Sequence, residues 1–197
     1  LSKSFPDGMT YEIGYDPTQY IIATMEEIVI TLVVALILVI AVTYLFLQSW
    51  RATLIPSIAI PVSLLGTFVF LMIFGFTINV LTMFGLILVI GSLVDDGIIV
   101  VENTLRVMEN EGLPPREATA RSMKQISGAI IATTLVTLAI YVPIAFIAGR
   151  VGKIYIQFSV TMCVAICLSA VKSLTLSPAL CVMLLRPLKV KGPWKLT

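Results

Sequence analysis

Two carboxylates stand side by side in the run Gly91-Ser92-Leu93-Val94-Asp95-Asp96-Gly97-Ile98-Ile99-Val100-Val101-Glu102-Asn103. An acidic side chain inside a membrane helix costs about 2.5 to 3.5 kcal/mol by insertion scales, so an adjacent pair must face a protein interior and serve a purpose there. The chemistry open to it is proton exchange, because loss of water and a like-charged neighbour both favour the neutral form of a carboxyl group and the pair titrates as one unit. Neighbouring helix positions point about 100° apart, so the two acids are expected to embrace a cation on another helix rather than touch. A span that stopped early would make them surface caps, but five uncharged residues, Gly97 to Val101, precede Glu102 and favour a proton relay at Asp95 and Asp96.

Lys172, in Cys167-Leu168-Ser169-Ala170-Val171-Lys172-Ser173-Leu174-Thr175-Leu176-Ser177-Pro178, is the second charge placed within an apolar stretch. Three readings stay open for it: an ion pair with Asp95 or Asp96, contact with a substrate, or a side chain that snorkels along its own stem or stands uncharged. Thr82, Ser92, Thr133, Thr134 and Thr137 are expected to bond across helices, and Gly66, Gly85, Gly91, Gly97 and Gly128 to admit close helix approach. The chain has no histidine, which removes histidine-dependent catalysis and metal binding from its repertoire. Cys163, Cys167 and Cys181 lie in one apolar stretch without a CxxC pair and read as small buried hydrophobes. No GxxxxGK[ST] loop is present, so ATP hydrolysis is not the energy source within this chain; no cofactor or metal is expected, and the chain does not read as an enzyme.

The elements that must hold these charges follow from composition. Charged residues make up 12% of the 197 and the mean hydropathy is +1.04, against about 25% charged in a soluble domain. A net charge of +2 without a long basic run gives no case for nucleic-acid binding. A bilayer core about 30 Å thick needs about 20 apolar helical residues, and five stretches supply them: 28–47, 53–76, 78–101, 127–148 and 156–185. The predicted fold is an all-α membrane bundle of five helices (28–185), with an N-terminal segment 1–27, a C-terminal tail 186–197, and one surface helix beginning at Pro114-Pro115-Arg116-Glu117. Pro56 and Pro61 are expected in the first turns of the second span or at a kink, and Pro143 and Pro178 to bend the fourth and fifth.

Positive charge is retained on the cytoplasmic side of a membrane. With the N-terminal segment outside, Arg51, Arg106, Arg116, Arg121, Lys124, Arg186, Lys189, Lys191 and Lys195 fall inside, against Lys3, Arg150 and Lys153 outside. The segment 1–27 is therefore expected in the periplasm and the tail in the cytoplasm. Leu1 replaces the usual Met and the opening residues lack a signal-peptide pattern, so the chain reads as part of a longer one.

The chain also resembles a known family. Tyr44-Leu45-Phe46-Leu47-Gln48, Arg51-Ala52-Thr53-Leu54-Ile55-Pro56, Asn79-Val80-Leu81-Thr82-Met83-Phe84-Gly85, Val94-Asp95-Asp96, Val101-Glu102-Asn103, Glu111-Gly112-Leu113-Pro114-Pro115 and Ser177-Pro178-Ala179-Leu180-Cys181 are similar, in order and spacing, to the hydrophobe/amphiphile efflux branch of the resistance-nodulation-division transporters. The resemblance implies that the five spans are the second through sixth helices of the transporter's first half, and that residues 1 to about 27 end a periplasmic porter domain. It further implies a homotrimer in the bacterial inner membrane, working with a periplasmic adaptor and an outer-membrane channel. Asp95 and Asp96 match the family's proton-relay carboxylates. The relay lysine of relatives belongs to the second half, and Lys172 falls where they usually carry an uncharged residue. The expected function is part of a proton-driven secondary transporter exporting drugs or amphiphiles, this segment carrying half of the relay. The alternatives are a truncated, non-transporting membrane protein that assembles with or regulates a full-length pump, and a channel-like or lipid-handling relative.

Overall fold

A computed structural model describes residues 17–187, apart from the side chains of Arg150 and Lys153. Five helices follow one another: α1 Pro17–Leu47, α2 Trp50–Ile73, α3 Val80–Glu111, α4 Pro115–Ile144 and α5 Gly149–Leu184. Each is long and apolar enough to cross a membrane, the shortest having 24 residues, about 36 Å at 1.5 Å per residue. No strand occurs among the described residues.

Local chemistry sets the helix ends. At the end of α2, Gly75 adopts a left-handed backbone (φ +73°); its N–H donates to the Met72 carbonyl at 3.1 Å and that of Phe76 to Leu71 at 2.9 Å. This doubly bonded glycine cap closes the helix sharply. The Asn79 side chain opens α3 by accepting from the N–H groups of Leu81 and Thr82, while the Thr82 hydroxyl accepts from the Asn79 N–H. Two donors that a helix start leaves unpaired are thereby satisfied reciprocally. Gly112, also left-handed at φ +64°, ends α3, and Pro115 at the first position of α4 starts the next helix.

Several boundaries differ from those expected. Helix α1 starts at Pro17, ahead of Ile28, and α3 continues past Val101 to Glu111. The surface helix expected at Pro114–Glu117 does start there, but runs unbroken into the fourth span as α4, because no glycine or proline interrupts 116–127. Pro56 and Pro61 lie inside a continuous α2, Pro143 falls in the last turn of α4, and Pro178 lies inside α5. Of the segment 1–27 and the tail 186–197, residues 1–16 and 188–197, with Lys3, Lys189, Lys191 and Lys195, lie outside the described residues.

Helices α3 and α5 form the centre, packed on each other, with α2 and α4 against both and α1 against α2 and α3. Two apolar clusters fill the interior. One joins Ile60 and Leu64 of α2, Met83 to Val94 of α3, and Met162, Ala165 and Ile166 of α5. The other joins Ala52 and Ile55, Val100, Val101, Val107 and Met108, Ala118 and Ile130, and Cys181. Arg51, Arg106, Arg116, Arg121, Lys124 and Arg186 belong to the end of the bundle around this second cluster. A Cβ built on Gly66 would meet Leu168 at 3.3 Å and one on Gly85 would meet Phe158 at 3.3 Å, so these two glycines let α5 approach α2 and α3. Gly97 backs onto Pro56, whereas Gly91 and Gly128 face open space.

Candidate functional site

Asp95 and Asp96 occupy the middle of α3, with fifteen helical residues on either side of the pair. On α3 the first apolar cluster ends at Val94 and the second begins at Val100; on α5 the first ends at Ile166 and the buried Cys181 belongs to the second. The acids therefore share a polar layer between two apolar clusters with Ser169, Lys172 and Ser173 of α5.

The two acids diverge, as the turn of the helix requires. Asp96 is half-buried and its Oδ2 accepts a hydrogen bond from the Ser169 hydroxyl at 2.8 Å. Asp95 turns to the other side, where it lines a groove of about 260 Å³ between α1 and α3 with Leu38, Val39, Val42, Thr43 and Gly91. Lys172 is 6% exposed, and its Nζ donates to the Leu93 carbonyl at 2.7 Å. The only salt bridge within 4.0 Å among the described residues is Arg121 to Glu111, at 3.0 Å, so the ammonium rests on main chain and forms no close ion pair with either aspartate. An ammonium taken out of water needs such a donor-acceptor contact, since its burial otherwise costs several kcal/mol.

Further polar residues meet in the interior that the sequence alone did not single out. Ser63 of α2 and Ser173 and Ser177 of α5 are buried, and none of their hydroxyls has a hydrogen-bond partner. The serine spacing 169, 173, 177 was the available signal, because steps of four keep side chains on one helix face. Toward the other end of α3, Asn103 donates to Ser122 Oγ at 2.8 Å and Gln125 Oε1 at 3.1 Å and accepts from Arg106 at 2.6 Å, which ties α3 to α4. Asn79 likewise reaches Gln157 of α5. The threonines expected to bridge helices do not: Thr133, Thr134 and Thr137 turn back onto carbonyls of α4, and Thr82 serves the α3 cap. A carbonyl of the same helix four residues back accepts from each of the three α4 hydroxyls.

Five long apolar helices around a charged layer define a polytopic helical membrane protein with ionisable groups in its core. Residues 1–194 match the AcrB/AcrD/AcrF family, and the chain belongs to it, within the resistance-nodulation-division transporters. The chain is 51% identical, over 97% of its length, to the multidrug export protein AcrF of Escherichia coli K12. It is 50% identical, over 96%, to the toluene efflux pump membrane transporter TtgB of Pseudomonas putida. It is also 50% identical, over 94%, to the multidrug resistance protein MdtF of Escherichia coli K12. In each case it spans 18% of the relative's length.

Proposed function

We propose that this chain is the part of a proton-driven secondary transporter in which Asp95 and Asp96 form half of the proton relay, and that the whole protein exports drugs or other amphiphilic compounds. The observation that carries this reading is the polar layer itself: two acids at mid-helix, one held by Ser169, beside the buried Lys172. Such groups are costly in a bundle core, and a role in proton coupling accounts for them. Moving one charge through a membrane potential supplies about 2.3 kcal/mol per 100 mV, sufficient to bias a two-state arrangement of helices. Support for export comes from the relatives, described as multidrug export and toluene efflux proteins.

On this reading residues 1–27 close a periplasmic porter domain, 28–185 lie in the bacterial inner membrane, and 186–197 are cytoplasmic. The transporter then works as a homotrimer with a periplasmic adaptor and an outer-membrane channel. The test is efflux by the complete protein carrying Asp95→Asn or Asp96→Asn, at matched expression. Loss of export in both variants is expected, and near-normal export in both would remove the relay assignment.

A further inference from the structure

Along α5, Ser169, Ser173 and Ser177 are spaced by four residues, so they follow one face with a drift of about 40° and a rise of about 6 Å per step. All three are at most 1% exposed. The first bonds to Asp96 Oδ2; the other two present buried hydroxyls with no partner. Apolar side chains would serve a purely packed helix face better, since an unmet buried hydroxyl is penalised and a methyl group is not.

The spacing has a chemical meaning. Hydroxyl oxygens about 6 Å apart are too far for a direct bond, and one water midway between each pair would lie about 3.0 Å from both, the long end of the O–H···O range. Such a water needs two or more polar partners. A third acceptor is at hand, because Pro178 lacks an N–H and leaves the Leu174 carbonyl without its helical donor. With Gly66 against Leu168 and α2 antiparallel to α5, the half-buried Ser57 comes level with Ser177 and marks where the row nears the surface.

We infer that Ser169, Ser173 and Ser177, with water between them, form a proton lead joining Asp96 to the end of the bundle that carries Arg51 and Arg186. Each hydroxyl donates and accepts. A proton leaving Asp96 breaks one O–H bond as another forms on the neighbouring oxygen, and repetition along the row releases a proton at Ser177 with nothing else transferred. The Lys172 ammonium reaches back to Leu93, on the side of Asp96 away from Ser173 and Ser177, so its charge is drawn off the serine row. This inference rests on the relay reading of Asp96.

The experiment uses the complete protein in proteoliposomes loaded with pyranine, which reports proton flux after an imposed pH step. Ser173→Ala combined with Ser177→Ala should slow the flux at least about tenfold, below the about 10²- to 10⁴-fold that a positioned proton-transfer group contributes, and enlarge the H₂O/D₂O rate ratio. The unfolding temperature should hold or rise, because the lost hydroxyls are unpartnered. A flux loss accompanied by a lower unfolding temperature would assign the serines to packing and overturn the lead. Unchanged flux in this variant, with flux abolished by Asp96→Asn, would overturn the lead and leave the relay standing; flux that survives Asp96→Asn would remove both.

Discussion

Replacing Lys172 by methionine keeps an unbranched side chain one heavy atom shorter and deletes its charge, and the polar layer sets what should follow. The variant loses a charge-assisted bond of 2.7 Å to the Leu93 carbonyl, worth about 1.5–3 kcal/mol. That carbonyl retains its own helical donor, so no acceptor is orphaned. Deleting the ammonium also lifts the penalty of holding it 6% exposed, several kcal/mol by itself. These terms oppose each other, and the net change in stability of Lys172→Met alone says little. The informative quantity is the coupling to each aspartate. Asp96 shares the α3–α5 interface with the ammonium but is half-buried, keeps its Ser169 bond and makes no ion pair within 4.0 Å, so its coupling should fall below the 3–5 kcal/mol of a broken buried pair, at about 1–2 kcal/mol.

Asp95, facing α1 across the groove, should couple by less than about 0.5 kcal/mol. The assay is a pair of double-mutant cycles, Lys172→Met with Asp96→Asn and with Asp95→Asn, read by denaturant unfolding of the complete protein in micelles. Additive effects in the Asp96 cycle, or equal coupling to both acids, would show that the attraction assigned to the α3–α5 interface is absent.

Two packing predictions follow from the same geometry. Gly85→Leu should destabilise by about 1–3 kcal/mol, because its Cβ would already lie 3.3 Å from Phe158, while Gly91→Ala, in open space, should be neutral or gain up to about 1 kcal/mol of helix propensity; comparable losses in both unfolding titrations would contradict the close approach at Gly85. Asn103→Leu should cost about 2–4 kcal/mol by stripping Ser122, Gln125 and Arg106 of their shared partner at an 8% exposed site, and should loosen the α3–α4 turn in hydrogen exchange; unchanged protection there would show that Arg121–Glu111 holds the turn by itself.

The long apolar runs made the five helices readable in the sequence, because a bilayer admits few other ways of satisfying backbone groups. The acids at 95 and 96 were readable for the same reason, since charge is conspicuous in an apolar run. Helix ends were less so: hydropathy falls at Val101, whereas α3 winds on to the left-handed Gly112, because helical hydrogen bonding does not depend on the surroundings being apolar. Lys172 was visible as a charge, but its contact with Leu93 follows from the register of α5 against α3, which no local pattern encodes. Ser173 and Ser177 went unmarked because small hydroxyls are common in membrane helices; their interest lies in being buried without partners, a property of the packed bundle alone.

The divergence of the two acids bears on how a proton could act. Above and below the layer, apart from Asn79 and Asn103 and their partners, the helices meet mainly through apolar side chains, whose attraction has no direction and no dependence on charge. Within the layer, Ser169 to Asp96 and Lys172 to Leu93 both cross from α5 to α3, whereas Asp95 stands at the α1–α3 groove without such a bridge among the described residues. Under the proposed relay, a proton on Asp96 therefore alters the α3–α5 contact, and a proton on Asp95 alters the α1–α3 contact. Two neighbouring acids then report to two different interfaces, and their asparagine variants should differ in which helix pair gains or loses protection from exchange even where both stop export. A single cation shared equally by the pair would instead make the two variants alike.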